Sequence, residues 1–174
     1  DLGAVVIDAL LARTGLDPNK VEDVIMGCVS QIGPQTFNLG RATILASRLP
    51  DSVPGVTVDR QCGSGQQAIH FAAQAVMSGN QDVVIAGGIE NMSMTPIGSP
   101  MAIAEKAGMR TPFDQNEITK RYPGSTFSQF VGAERMAQKY GVTRAELDDF
   151  AYQSHIKGAA AYEGGYFKHE IIPM

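Results

Sequence analysis

Three short apolar runs, separated by stretches of helical length, constrain this chain more than any other feature. They are Val24-Ile25-Met26-Gly27-Cys28-Val29, Val56-Thr57-Val58, and residues 82–89 with Val83-Val84-Ile85-Ala86 at their centre. Strands apolar at successive positions are covered on both faces, and strands alternating with helices form a parallel sheet between two helical layers. The expected fold class is therefore α/β, of layered α/β/α type, with a largely parallel sheet.

The intervening segments read as helices with recognisable ends. Residues 1–14 place Leu2, Val5, Val6, Leu10 and Arg13 at helical spacing, and Gly15 stops them. Asp17-Pro18-Asn19 reads as a turn and Gly33-Pro34-Gln35 as a loop. Asn38 is placed to cap a helix that runs to about Leu49, before Pro50. A further helix runs from the Cys62-Gly63-Ser64-Gly65 turn to Ser78, with Ala68, Ala72, Ala75, Val76 and Gly79 expected on one close-packing face.

After Glu90 the texture changes. Pro96, Pro100, Pro112 and Pro123, with Met92, Met94, Met101 and Met109, mark an excursion of loops and short helices. Long loops of this kind often carry function, and methionines adapt to irregular apolar shapes, so an acyl-lining role and plain gap filling are both open. Helical order returns over residues 129–140. Thr143 with Glu146 three residues on forms a capping-box pattern for a second helix ending near Gly164-Gly165, and His169-Glu170-Ile171-Ile172 is expected to open a new strand. The organisation is a core over 1–92, an excursion over 93–127, and return helices with the start of a strand over 128–174.

Several function classes drop out. A net charge of −4, from 14 basic and 18 acidic residues, with no basic stripe, argues against nucleic-acid binding. The longest apolar stretch, around Val83 to Ile89, falls far short of the roughly 20 residues of a membrane span. Two cysteines suit a reducing compartment and exclude a disulfide scaffold, and no Cys/His cluster offers a metal site. The chain begins at Asp1-Leu2-Gly3 without an initiator Met and stops at Pro173-Met174, so both ends read as cut. The cytoplasm is the default location, with mitochondrion and peroxisome open.

Cys62 is the residue most suited to chemistry. It follows a strand, precedes a helix and is flanked by Gly63 and Gly65, which allow unusual dihedrals in the turn. The positive end of a helix dipole favours thiolate, and free N–H groups there can hold an oxyanion. A small buried hydrophobe is the competing reading. Ser64, next to it, reads as satisfying a backbone group. No base is apparent: His70 is roughly 12 Å further along the same helix, and His155 and His169 read as structural or surface residues. Cys28 reads as inert within its strand. Gln35, Asn38 and Arg41 read as capping or structural groups. Glu90 is either a base or a carboxylate that fixes neighbouring loops by accepting N–H bonds, the second being favoured.

Four ordered motifs then carry a resemblance. Val58-Asp59-Arg60-Gln61-Cys62-Gly63-Ser64-Gly65-Gln66-Gln67-Ala68-Ile69 resembles the acyl-enzyme cysteine motif of thiolases, the acetyl-CoA acetyltransferase and 3-ketoacyl-CoA thiolase family. Gln35-Thr36-Phe37-Asn38-Leu39-Gly40-Arg41-Ala42 resembles the family's Gln-x-x-Asn-x-x-Arg segment. Ala86-Gly87-Gly88-Ile89-Glu90-Asn91-Met92-Ser93 resembles its Gly-Gly-Met-Glu-x-Met-Ser strand end. The stretch from Ala133 through Thr143, with Asp149-Phe150-Ala151 and Ser154-His155, resembles the helical pair that follows.

The resemblance implies the first of two similar α/β/α halves, with a mixed, largely parallel sheet, a loop domain inserted and the opening strand missing. It implies reversible thiolysis or Claisen condensation of CoA thioesters through an acyl-Cys62 intermediate, with the Cys62 N–H contributing to the oxyanion hole. Asn38, Arg41, Gly63, Gly65 and Glu90 would support the site. Acyl-CoA and CoA would be substrates, no metal or tightly bound cofactor is called for, and a homodimer or homotetramer is implied.

The departures are specific. The family's Gly-His-Pro, Cys-x-Gly-Gly-Gly and Asn-Glu-Ala-Phe segments belong to a second half and do not occur here, so this chain alone would not complete the cycle. Where many members carry Met-Gly-x-Thr-Ala-Glu, in some preceded by His, this chain has Ser128-Gln129-Phe130-Val131-Gly132-Ala133-Glu134. Ser128, Gln129 and Phe130 would lie near CoA and the acyl group, which points away from short-chain acetoacetyl substrates toward a degradative or bulky-acyl thiolase. A ketoacyl synthase is a competing enzyme reading, although Cys-Gly-Ser-Gly favours thiolase over Cys-Ser-Ser. A half that only binds CoA or a partner subunit is the non-catalytic alternative.

Overall fold

A computed structural model describes residues 1–114, 116–125 and 127–174. Contacts divide them into two compact units, Asp1–Met109 and Arg110–Met174. The 93–127 excursion is therefore shared between the two, and Gln115 and Thr126 within it lie outside the described residues.

The first unit runs α1 (Leu2–Thr14), β1 (Asp23–Gly27), α2 (Leu39–Ala46), β2 (Gly55–Val58), α3 (Ser64–Met77), β3 (Val84–Gly88) and α4 (Ser99–Lys106). The sheet order is β2-β1-β3, and both pairings are parallel: Val24 lies opposite Gly55 on one side and Ile85 on the other. Side chains alternate across a strand, and β1 shows it. Val24 and Met26 join Ile7 and Leu11 of α1, Ile44 of α2, and Ile85 in one core. Ile25, between them, joins Ala68 and Ala72 of α3 in a second core on the opposite face. The central strand is thus packed on both faces, as its unbroken apolar run requires, and the layering is α/β/α.

Local chemistry sets the element ends. Gly15 takes the left-handed conformation (φ 67°) and closes α1 with a hydrogen bond from its N–H to Leu11 O. The 17–19 turn is one 3₁₀ turn, with the Asp17 carboxylate accepting from Asn19 N–H. Helix α2 ends at Ala46, short of the expected Leu49, because Ser47 is extended and its hydroxyl donates to Ile44 O and accepts from Leu49 N–H. The expected face of α3 is only half right. Ser64, Gln67, Ala68 and Ala72 are buried, but Val76 is 45% exposed. A 14-residue helix is roughly 21 Å long against roughly 17 Å for a five-residue strand, so its last turn outruns the sheet.

The second unit holds a 3₁₀ turn at Pro112–Asp114, α5 (Asn116–Arg121), α6 (Gln129–Tyr140) and α7 (Arg144–Glu163). Phe113 stacks on Phe127 at 5.1 Å between ring centroids, and Tyr122 meets Phe127 edge-on at 5.6 Å. Both halves of the expected capping box on α7 form: Glu146 N–H donates to Thr143 Oγ1, and Thr143 N–H donates to the Glu146 carboxylate at 2.8 Å. Residues 169–172 do not open a strand. Glu170 N–H and Ile171 N–H donate to Phe167 O, continuing the turns after α7. A strand exists only through its neighbour's ladder, and the three-stranded sheet of the described residues does not include this segment.

Candidate active site at the carboxyl edge of the sheet

Parallel strands bring their C-terminal ends to one edge, where open α/β sheets place their ligands. The segments leaving β1, β2 and β3 are tied together there. Cys28 N–H donates to Val58 O at 3.0 Å and Ile89 N–H donates to Gly27 O at 2.9 Å. Glu90 completes the tie. Its carboxylate accepts from Val29 N–H at 2.9 Å, from Ser30 N–H at 3.4 Å and from the Gln35 side-chain amide at 2.7 Å. Gln35, buried, also donates to Ser30 O at 2.9 Å and accepts from Asn91 N–H at 2.6 Å. Desolvation pushes the Glu90 carboxyl up, but the hydrogen bonds from Val29, Gln35 and Ser30 outweigh it and hold the group below its ordinary value.

That shift has a sign. A depressed folded-state pKa stabilises the fold above the unfolded carboxylate's pKa, and the contribution vanishes as pH falls through the folded value. Acidification through the carboxylate range is therefore expected to destabilise the wild type more than Glu90→Gln, by about 1 kcal/mol given the partial exposure of the carboxylate. Urea midpoints from pH 7 down to pH 3 check this. Parallel curves for the two proteins would remove Glu90 as the tie.

Cys62 lies in the turn between β2 and α3 and is exposed, whereas Cys28 is buried. The turn is built by its own polar groups. Asp59 Oδ1 accepts from Gln61 N–H at 2.7 Å. Gly63 N–H donates to Arg60 O and Ser64 N–H to Gln61 O, both at 3.0 Å. The Ser64 hydroxyl donates to Gln61 O at 2.6 Å and accepts from Arg60 N–H at 2.9 Å, so it serves the backbone as expected. The N–H of Cys62 is not among the groups these bonds use.

The flanking glycines act differently from the sequence expectation. Gly63 has φ −91° and Gly65 lies within α3, so neither is in the left-handed region. Gln61 is, at φ 46°. The glycine that the turn depends on is Gly27 of β1: a Cβ there would lie 2.4 Å from Ser64 C and 2.5 Å from Gly65 N. The first turn of α3 thus rests on bare backbone of the central strand.

Asn38 and Arg41 join α2 to β2. Asn38 Oδ1 accepts from Arg41 N–H and from the Thr57 hydroxyl, each at 3.1 Å, and its amide donates to Gly55 O at 2.8 Å. Arg41 Nη1 donates to Val53 O at 2.6 Å. Ser128, Gln129 and Phe130 belong to the second unit. Ser128 is the N-cap of α6 without a side-chain capping bond, Gln129 is its first residue, and Phe130 is 79% exposed. His70, the one histidine of the first unit, is exposed on α3. Asp59 was passed over in the sequence, although an Asp two residues before a turn N–H is the mark of an Asx turn.

An exposed thiol at the head of a helix, over a sheet edge braced by side chains, is suited to nucleophilic attack on a carbonyl. The family profile described as "Thiolase, N-terminal domain" matches residues 1–174. The chain belongs to the thiolase family. Among its relatives is the steroid 3-ketoacyl-CoA thiolase FadA6 of Mycobacterium tuberculosis, 48% identical over 175 residues that cover all of this chain and 43% of the relative. A 3-ketoacyl-CoA thiolase of Marinobacter nauticus is 40% identical over 176 residues, 99% of this chain and 42% of the relative. A probable acetyl-CoA acyltransferase of Staphylococcus aureus is 37% identical over 179 residues, all of this chain and 44% of the relative. This thiolase chain spans less than half the length of the curated relatives it matches. None of its described helices is long and apolar enough to cross a membrane.

Proposed function

We propose that the protein carrying this chain is an acyltransferase that cleaves 3-oxoacyl-CoA by thiolysis, or runs the reverse condensation, with Cys62 as the covalent nucleophile. The observation that carries the reading is the exposed thiol of Cys62 in the β2–α3 turn of a thiolase N-terminal domain. The Cys62 sulfur bonds to the keto carbon, the bond between that carbon and C2 breaks, and acetyl-CoA leaves after its carbanion takes up a proton. The acyl group then passes from Cys62 to the thiol of CoA, regenerating the cysteine. Splitting the reaction this way replaces one difficult step with two easier ones. CoA and acyl-CoA are substrates, with no tightly bound cofactor required, and the protein works as a homodimer or homotetramer in the cytoplasm.

The degradative direction and a bulky acyl group are the preferred specificity. Both the Ser128-Gln129-Phe130 departure and the name of the 48%-identical relative favour them. Incubation of the native-length protein with acetoacetyl-CoA and with a long-chain 3-oxoacyl-CoA, followed by intact mass and peptide mapping, tests the proposal. An acyl adduct on Cys62, absent in Cys62→Ser, is the expected result, stronger with the larger substrate. A native-length protein that never acylates yet binds CoA would overturn it in favour of the non-catalytic reading.

A further inference from the structure

The Cys62 turn contains a feature that covalent catalysis by itself does not demand. Gln61 is held in the left-handed region, where a non-glycine residue is uncommon and strained. Side chains grip it at both ends. Asp59 accepts from its N–H at 2.7 Å, and the Ser64 hydroxyl donates to its carbonyl at 2.6 Å, with Ser64 N–H adding a second bond to the same oxygen. That carbonyl belongs to the peptide unit whose N–H is that of Cys62. No cis peptide is present among the described residues, and in a trans unit C=O and N–H point in opposite directions. Two donors that draw the Gln61 oxygen toward the start of α3 therefore turn the Cys62 N–H away from it. Ser64 itself is 4% exposed and seated on Gly27, so it is a fixed anchor.

We propose that Ser64 and Asp59 are positioning residues that orient the Gln61–Cys62 peptide so that its N–H can receive the developing oxyanion during acyl transfer. The proposal rests on the reading of Cys62 as nucleophile. In the half-reaction, the Cys62 sulfur adds to the thioester carbonyl, its oxygen becomes anionic, and the C–S bond to CoA then breaks. The thiol proton ends on the departing CoA.

The test compares two reactions of the same sulfur in the native-length protein. Acylation by a thioester passes through an oxyanion. Alkylation by iodoacetamide displaces iodide at a saturated carbon and forms none. Ser64→Ala and Asp59→Ala are expected to slow acylation of Cys62 by at least about 10-fold each, through kcat with KM little changed. Alkylation should stay within about 2-fold of wild type, and Asp59→Asn, which keeps the acceptor oxygen, should restore acylation. Equal loss in both reactions, with lowered thermal stability, would mean the residues only hold the turn together and would overturn the proposal. Unchanged acylation in both variants would overturn it as well. A wild type that alkylates but never acylates would instead remove the nucleophile reading beneath it.

Discussion

Gly27→Ala is expected to lower the melting temperature by roughly 10 °C, corresponding to about 3 kcal/mol in a chain of this size, and to abolish acylation of Cys62. The added methyl carbon would lie within 2.6 Å of Ser64 C, Ser64 O and Gly65 N. All three are backbone atoms, so no rotamer change relieves the overlap; the first turn of α3 must lift from β1. Lifting it carries Ser64 away, and with it the two bonds on the Gln61 carbonyl. Gly65→Ala is the control. A Cβ at Gly65 meets nothing within 4 Å, and alanine favours a helix over glycine by up to about 1 kcal/mol. That variant should melt at or above the wild-type temperature. Calorimetry on the two proteins decides: equal melting temperatures would mean that α3 does not rest on Gly27.

The second large effect separates the two cysteines. Cys28 is 1% exposed, and burial, with the charges of Glu90 and Asp59 behind it, pushes its thiol up to about 11. At pH 8 roughly one Cys28 in a thousand would be thiolate even if reagent could reach it. Cys62 is exposed and meets reagent directly. Iodoacetamide at pH 8 is expected to add a single carbamidomethyl group, on Cys62, at a rate at least about 1,000-fold above Cys28. Cys28 should react only in denaturant. Peptide mapping over time checks this, and two labels appearing together without denaturant would contradict the buried position of Cys28.

What could be read from the sequence was mostly what neighbouring residues decide among themselves. Asn38 and Thr143 cap their helices through side chains three residues from their targets, and such bonds are visible in a one-dimensional string. The strands announced themselves because unbroken apolar runs leave few alternatives to a doubly covered sheet. Cys62 stood out by its glycine-flanked position, and it is exposed rather than a buried hydrophobe.

Longer-range relationships were hidden. Glu90 meets Val29 and Gln35 from 61 and 55 residues away, and nothing local says which N–H groups its carboxylate will accept. Gly27 read as one more residue of an apolar strand, because what lies on it is a helix start 37 positions later. The expected strand at 169–172 shows the converse. Its composition is suitable, but pairing is a property of two segments, and the described sheet does not include this one. The positive φ at Gln61 contradicts the local rule that glycine takes such positions. Local rules fail where side chains such as Asp59 and Ser64 hold a conformation that the residue itself disfavours.

The alternation along β1 has a consequence for how such a chain can change length. Odd and even positions of Asp23–Gly27 feed separate cores, and its last residue is the bare ledge beneath α3. Inserting or deleting one residue there would exchange the two cores and put a side chain where the ledge must be. The strand works as a ruler, graduated in single residues, that fixes how far the Cys62 turn stands from the centre of the sheet.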